Sequence, residues 1–346
     1  MNAPYNLSLN QQRVYQYRFP SPIYACNWSF RNDKILKLAV GSFIDDYNNK
    51  IRITHLCSQT NEITELICFD HPYPATKIHW IPDVNGNFPD LIGASGDYLR
   101  IWKIVGPEAQ LQCLLNSNRH PTLCAPLTSF DWNRLDPSLV VTASIDTTCT
   151  IWSIETQQAI SHVPLGYQVY KQLIAHEKEV YDVAFSTQGS GRDIFGTSGA
   201  DGSIRIFDLR NLAHSNIVHE HKNRFPLLRI YWNRFDSNYI ATFSVASNEA
   251  ILIDTRMTRR PIAELTNHQS CINGLAWAPR SNNYLCSVGS DKRAFIWDTQ
   301  KVMCKTNTDP ILCYTASDEI NQIQWNEINS DWISICFNNC VQILRV

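Results

Sequence analysis

The sequence predicts an all-β fold: a single ring of seven four-stranded sheets, a seven-bladed β-propeller. Three observations carry this. Large apolar residues recur in two parallel series, each period holds four short strand-like runs, and the two ends of the chain hold complementary parts of one unfinished unit. The first series is Trp28, Trp80, Trp132, Phe185, Trp232, Trp277 and Trp325, with gaps of 52, 52, 53, 47, 45 and 48 residues. The second is Thr54, Trp102, Trp152, Phe207, Ile253, Trp297 and Leu344, with gaps of 48, 50, 55, 46, 44 and 47. Nine of the ten tryptophans fall in one series or the other, which rules out chance scatter. A repeat of this length means one supersecondary unit per period.

The elements follow in order. Arg13–Phe19 reads as a strand that precedes the first unit. The third unit shows the internal pattern: Leu127–Trp132, Leu139–Ser144, Thr150–Ile154 and Ala159–Val163 are strand-like, and Asn133–Pro137 and Asp146–Thr148 are turns. In the fourth unit, Gly199–Arg210 is a tight turn feeding a strand. There Gly202 supplies the conformational freedom, and Asp201 can bond the backbone two residues on. Runs this short are too brief for typical helices, so helix should be minor. The seventh unit ends with Val341–Val346 as its third strand and so lacks a fourth. The strand at Arg13–Phe19 is one too many at the other end. Pairing the two closes the ring and hides its edges. The expected organisation is a flexible tail over residues 1–12 and a propeller over 13–346.

Composition bounds the function. With 44% hydrophobic and 18% charged residues the chain has material for a sizeable core. A net charge of −2 supplies no basic field for direct nucleic-acid or anionic-membrane binding. No run approaches the ~20 apolar residues that span a bilayer, and Met1–Asn10 lacks the apolar core of a signal peptide. The twelve cysteines are scattered, with no Cys-x-x-Cys pair, which suits a reducing compartment and no metal site. No cofactor is expected, and no Gly-rich phosphate loop is present; Gly189-Ser-Gly191 is only a turn.

The repeats resemble the WD-repeat family over nearly the whole chain. Its strand-end dipeptide stands as Trp297-Asp298, and in weaker form as Phe207-Asp208, Ile253-Asp254 and Trp152-Ser153. Its Gly-His stands as Asp70-His71, Ala175-His176 and Asn267-His268. A turn aspartate lies six residues before the second-series aromatic at Asp146, Asp201 and Asp291, and five before it at Asp97. The resemblance implies a buried hydrogen-bonded tetrad, carried best by His268, Ser287, Asp291 and Trp297 in unit six. Phe207 leaves unit four's tetrad without an indole donor. Units one, five and seven depart furthest and would be held mainly by packing. A His–Asp–hydroxyl set also suggests a hydrolase triad, but a set that repeats at repeat-fixed positions is structural.

Longer segments are similar to one branch of that family, the plant transparent-testa-glabra regulators and the animal adaptors of DYRK- and HIPK-type kinases. They are Gly41–Asn49, Phe69–Pro74, Cys124–Trp132, Ser144–Trp152, Leu173–Tyr181 and the closing Asp331–Val346. The resemblance implies a non-catalytic scaffold in cytoplasm and nucleus, a monomer within larger complexes. Its partners would be protein kinases or MYB–bHLH transcription regulators. Most of these segments fall in turns that a propeller gathers on one face, where binding residues concentrate. The candidate partner-binding residues there are Asp45, Asp46, Tyr47, His71, Tyr73, Glu177 and Lys178. Both tyrosines suit an interface anchor, or simply cover the core edge, and Glu177, Lys178 and Glu179 are expected beside them as rim charges.

Two third-strand ends, Asp208-Leu-Arg210 and Asp254-Thr-Arg256, resemble the Asp-x-Arg box of WD-repeat receptors of cullin-RING ubiquitin ligases. That resemblance implies the alternative role, a substrate receptor whose Arg210 and Arg256 meet the ligase adaptor. A local ion pair is the plainer reading of the same residues. A propeller enzyme is the rival class; Asp45-Asp46 is the one acidic pair in a suitable loop.

Overall fold

The computed structural model describes residues 14–346 apart from 33–34, 58–59, 61, 117–124, 156–166, 190, 258–259 and 306–307. The expected tail over residues 1–12 lies outside the described residues. Seven antiparallel four-stranded sheets follow one another round a ring. Blade 1 runs from Ile23 to His71, blade 2 from Lys77 to Leu115, blade 3 from Leu127 to Ile174 and blade 4 from Val180 to Glu220. Blade 5 runs from Leu227 to Leu265 and blade 6 from Ile272 to Thr315. Blade 7 takes three strands from Gln322–Arg345 and its fourth, Val14–Arg18, from the other end of the chain. One short helix, Thr299–Met303, follows the third strand of blade 6.

Each first-series residue is the last residue of a blade's inner strand, from Trp28 to Trp325. Six are tryptophans, and their indoles bond in two ways. Trp28, Trp80 and Trp277 donate across the blade boundary, to the carbonyls of Gln324, Asn27 and Tyr231 at 3.0–3.1 Å. Trp132, Trp232 and Trp325 donate to their own following turn, to Pro137, Ser237 and Ser330 at 2.6 Å. Each ring fills the wedge between blades while its one polar atom stays satisfied.

The ring closes as the chain ends predict. Val14–Arg18 pairs antiparallel with Cys340–Leu344, with Gln16 opposite Gln342. Phe19 is buried, its N–H donates to the Asn339 carbonyl at 2.7 Å, and the Asn339 amide donates back to the Phe19 carbonyl at 2.9 Å. Phe19, Trp28, Leu38, Val341 and Ile343 share one core cluster that spans blades 7 and 1.

One strand expectation is corrected. The outer strand of blade 3 is Tyr167–Ile174, paired with Thr148–Ile154; the expected run Ala159–Val163 lies outside the described residues. Both stretches have strand-like composition. The end of Tyr167–Ile174 leads directly into the Ala175–Glu179 turn.

The connections define two faces. The upper face gathers the turns between second and third strands and the links from one blade to the next. The lower face gathers the turns between first and second strands and between third and fourth. Inner strands line a polar axial channel. Lys77 reaches Ser129 Oγ and Asp182 Oδ1 at 3.2 Å, Asp182 Oδ2 accepts the Ile230 N–H at 3.0 Å, and Asp131 Oδ2 accepts the Phe185 N–H at 2.7 Å. These carboxylates join neighbouring blades as well as filling the channel.

Candidate functional site

The tetrad of blade 6 is complete. Trp297 Nε1 donates to Ser287 Oγ at 2.8 Å, and Ser287 Oγ stands 2.7 Å from His268 Nε2. His268 Nδ1 stands 3.0 Å from both Asp291 oxygens. A carboxylate beside Nδ1 fixes the proton there, so Nε2 accepts the serine hydroxyl and every donor has an acceptor. Burial pushes His268 down from its ordinary value although Asp291 opposes this, so the ring is neutral. Asp291 Oδ2 also accepts the Gln269 N–H at 3.1 Å, tying the inter-blade link to the hairpin turn. The effect is to fix upper-face loops.

Blade 4 repeats the arrangement with His176, Thr197 and Asp201 at 2.7–3.1 Å, and Phe207 supplies no donor. The ring of His176 lies directly on Gly199, where an added Cβ would stand 2.6 Å from Nδ1. Among the described residues blade 3 keeps only the Trp152 to Thr142 bond, 2.9 Å. Blade 2 has the histidine and the tryptophan but no hydroxyl between them. Register places Ala94 opposite Arg100, where blade 6 has Ser287 opposite Phe295. His71 Nε2 and Trp102 Nε1 are accordingly buried without a partner. Each such group costs about 1–3 kcal/mol. Ala94→Ser is therefore expected to raise the apparent Tm by a few degrees, because one hydroxyl serves both groups. A melting scan in which Ala94→Ser lowers the midpoint while Ala94→Gly lowers it no further would contradict this.

On the upper face, Tyr47 is 68% exposed and Tyr73 36%. Their rings meet edge to face, centroids 5.1 Å apart. The hairpin that carries Tyr47 is held from below by Asn49. Its Oδ1 accepts from Ser42 Oγ and the Ile44 N–H, both 2.9 Å, and its Nδ2 donates to the carbonyls of Ile44 and Asp46 at 2.9 and 2.7 Å. Asp46 Oδ1 accepts the Tyr47 N–H at 2.6 Å and Oδ2 accepts from Asn48 at 3.0 Å. Asp45 and Asp46 are exposed beside it. Phe43, 54% exposed, continues the apolar surface and meets Tyr24 at 5.6 Å.

Two members of the expected face stand differently. His71 is 1% exposed and cannot meet a partner; its Nδ1 donates to the Tyr73 carbonyl at 2.6 Å. Burial drives its pKa down, so it is a neutral prop beneath the Pro72–Pro74 turn. Glu177, Lys178 and Glu179 are exposed on the same face but lead into blade 4, two blades round from the turn that carries Tyr73. They are not rim charges of the tyrosine pair. The linear spacing carried no information on how far apart two upper-face turns sit round the ring.

At the lower face, the two Asp-x-Arg ends have the same geometry on consecutive blades. Arg210 Nε and Nη2 donate to Asp208 at 2.9 and 2.6 Å, and Arg256 donates to Asp254 at 2.9 and 2.6 Å. Each guanidinium is held bidentately yet more than half exposed. Hydrogen bonds from Arg210 and Arg256 draw the Asp208 and Asp254 carboxyls below their ordinary values. The local ion pair and the outward projection therefore coexist: the pairing sets the direction of the arginine and leaves donors free to meet a partner.

A further cluster escaped the sequence reading. Arg134 and Arg234 both donate to Glu327, joining the inner turns of blades 3, 5 and 7 across the lower channel mouth. Arg134 also lies over the Phe30 ring of blade 1, 5.0 Å from its centroid. The signal was present: all three residues follow a Trp-Asn pair, as Trp132-Asn133-Arg134, Trp232-Asn233-Arg234 and Trp325-Asn326-Glu327. Each asparagine Oδ1 caps its own turn by accepting two backbone N–H groups at 2.8–3.1 Å.

The family model described as WD domain, G-beta repeat, matches residues 167–208 and 259–298. The chain is 47% identical over 340 residues to the DDB1- and CUL4-associated factor 7 homolog of Dictyostelium discoideum, covering 98% of this chain and 100% of that protein. A WD repeat-containing protein of Saccharomyces cerevisiae is 29% identical, covering 96% of this chain and 77% of its own length. An uncharacterized WD repeat-containing protein of Schizosaccharomyces pombe is 30% identical, with 89% and 84% covered. End-to-end identity at this level and the seven-bladed ring together show that the chain belongs to the WD-repeat family of DDB1- and CUL4-associated factor 7 homologs, a family of non-catalytic adaptors.

Proposed function

We propose that the upper face recruits protein kinases of the DYRK and HIPK type or MYB–bHLH transcription regulators, in cytoplasm and nucleus, and that the chain acts as a monomeric scaffold within the resulting complexes. The observation that carries this is the exposed Tyr47–Tyr73 pair, held rigid by Asn49 and flanked by Asp45 and Asp46. Rigid amphipathic rings lose little entropy on binding and make strong anchors, and exposed carboxylates steer a basic segment of the partner toward them. Tyr47→Ala is expected to weaken capture of a DYRK-type kinase about 30-fold, the ~2 kcal/mol of an interface hot spot, without moving the melting curve. Glu177→Ala, two blades away, tests how far the footprint extends. Full kinase retention by folded Tyr47→Ala, measured by titrated pull-down, would remove the tyrosine pair as the anchor.

A second reading is favoured by the lower face and by the printed name of the Dictyostelium relative, which is associated with DDB1 and CUL4. In it, Arg210 and Arg256 dock the adaptor of a cullin-RING ligase and the upper face presents a substrate. Arg210→Ala with Arg256→Ala is expected to cut co-precipitation of the ligase adaptor at least tenfold, since charge-assisted bidentate contacts contribute about 1.5–3 kcal/mol each. Undiminished recovery would count against this reading and leave the kinase reading intact.

A further inference from the structure

Blade 4 carries an irregularity that its predecessors lack. In blades 1, 2 and 3 the outer strand shifts register just before the second-series residue: between Ile53 and Thr54, Ile101 and Trp102, and Ile151 and Trp152. In blade 4 a shift falls between Ile204 and Arg205, with His219 opposite Ile204 and Ile217 opposite Arg205. A bulge sets two residues against one and re-aims side chains. Here two consecutive residues, Val218 and His219, are both buried, where a regular pleat alternates. Val218 enters the core shared with blade 5. His219 instead lines a groove of about 640 Å3 bordered by the outer strands of blades 4 and 5.

Three features of the groove point to a ligand. His219 is 6% exposed, and its Nε2 is buried with no hydrogen-bond partner. An unpaired buried nitrogen is costly and rewards any group that meets it. Glu220, Glu249 and Glu264 are exposed around it, and among the described residues none of the three forms an ion pair. Lys222 and Arg260 also border it, so among the described residues three carboxylates face two cations there. Finally, the blade 5 strand beside it, Ala263–Leu265, has three residues, against eight to ten in the outer strands of blades 1 to 4. Among the described residues it pairs with Ala250–Leu252 and leaves Ile253 and Asp254 without a fourth-strand partner.

We propose that this groove is a second docking site, which takes a short extended peptide of a partner protein, with a lysine or arginine side chain directed at the carboxylates and a polar group on His219 Nε2. The inference rests on the adaptor reading for the class of partner. The volume suits a few residues of extended chain, not a folded domain. A metal ion is disfavoured, because no group of three His, Cys, Asp or Glu side chains among the described residues is placed to hold one. His221 is already engaged: its Nδ1 accepts the N–H groups of Asn223 and Phe225 at 3.3 Å, and its ring stacks on Phe225. Burial and the nearby His221 push the His219 imidazole down to about 4, so it meets the peptide neutral at physiological pH.

The test uses the purified full chain and the peptide acetyl-Ala-Val-Arg-Val-Ala-amide, with its Arg-to-Glu counterpart as control. The His219 imidazole resonance, assigned by its loss in His219→Gln, is followed by NMR. The expected result is a saturable shift with the Arg peptide only, weakened about fivefold or more by Glu264→Gln and by added salt. Glu264 is exposed, so that variant carries the test even if His219→Gln folds poorly. Tyr47→Ala should bind the peptide normally, which separates failure of this site from failure of the upper face. No saturable shift up to ~10 mM Arg peptide, or equal shifts from both peptides, would overturn the proposal.

Discussion

A chain that begins at Pro20 is expected to lose on the order of 5 kcal/mol of stability and roughly 7 °C of apparent Tm, and to self-associate. The strand it lacks, Val14–Arg18, satisfies the outer edge of Cys340–Arg345, and Phe19 fills the seam between blades 7 and 1. Tyr15 packs against Trp332 at 5.8 Å and Tyr17 against Phe19 at 4.9 Å, so the deletion removes apolar cover as well as ladder bonds. Burial of Phe19 alone is worth about 1.5–3 kcal/mol. The exposed edge of Cys340–Arg345 then offers unpaired backbone groups to a second molecule. Scanning calorimetry and size-exclusion chromatography check both effects. An unchanged melting curve and a monomeric elution would show that the ring is held by something other than this strand.

The second large effect is expected at the lower channel mouth. Glu327 is half-buried between two arginines, and replacing it with alanine leaves both guanidiniums without their shared anion. Breaking a fully buried pair from one side typically costs about 3–5 kcal/mol; for this half-buried cluster about 3 kcal/mol is expected, so Glu327→Ala should lower the apparent Tm by roughly 4 °C. Burial raises the Glu327 carboxyl, but Arg134 and Arg234 overcome this and bring it down to about 2 from an ordinary 4.5. Arg234 is drawn down to about 10 by burial and by Arg134, as expected where one anion serves two cations. The sign of the pH effect follows. A depressed carboxyl contributes stability above its unfolded value and loses it as pH falls from 4.5 toward 2, by about 3 kcal/mol in all. Wild-type stability should fall more steeply over that interval than that of Glu327→Gln. Parallel pH profiles would show that the cluster is not coupled to folding. Arg234→Gln should cost less in the Glu327→Gln background than alone, by the coupling of the pair.

What was legible in the chain followed from periodicity. A strand that must fill the same wedge in every blade needs a large residue at the same place, so the first-series residues locate every inner strand end, from Trp28 to Trp325. Closure was legible because a missing strand and a surplus strand are complementary facts. The tetrad of His268, Ser287, Asp291 and Trp297 was legible as four spaced residue types, and its failure in blade 2 turns on a single position, Ala94, whose neighbours in space only the register identifies. Three things lay beyond linear reading. The outer strand of blade 3, Tyr167–Ile174, is exposed along nearly its whole length, so burial imposes no apolar pattern that would mark it. Glu177 and Tyr73 share a face but not a neighbourhood, because angular position round a ring is not encoded by local pattern. The Arg134–Glu327–Arg234 clamp joins three repeats through residues that vary in charge at one repeat position. Aligning the repeats for charge, not only for apolar spacing, exposes it.

We propose that one rigid ring holds different proteins on different faces at the same time, raising their effective concentration for one another. Sequential capture tests it most directly: pull down through a DYRK-type kinase, elute the complex, recapture it through this chain, and probe for the cullin ligase adaptor. Both partners should be recovered in one assembly, with Tyr47→Ala failing at the first step and Arg210→Ala with Arg256→Ala losing only the ligase adaptor. Mutually exclusive recovery of the two, or loss of the kinase as well as the ligase adaptor from Arg210→Ala with Arg256→Ala, would contradict the account.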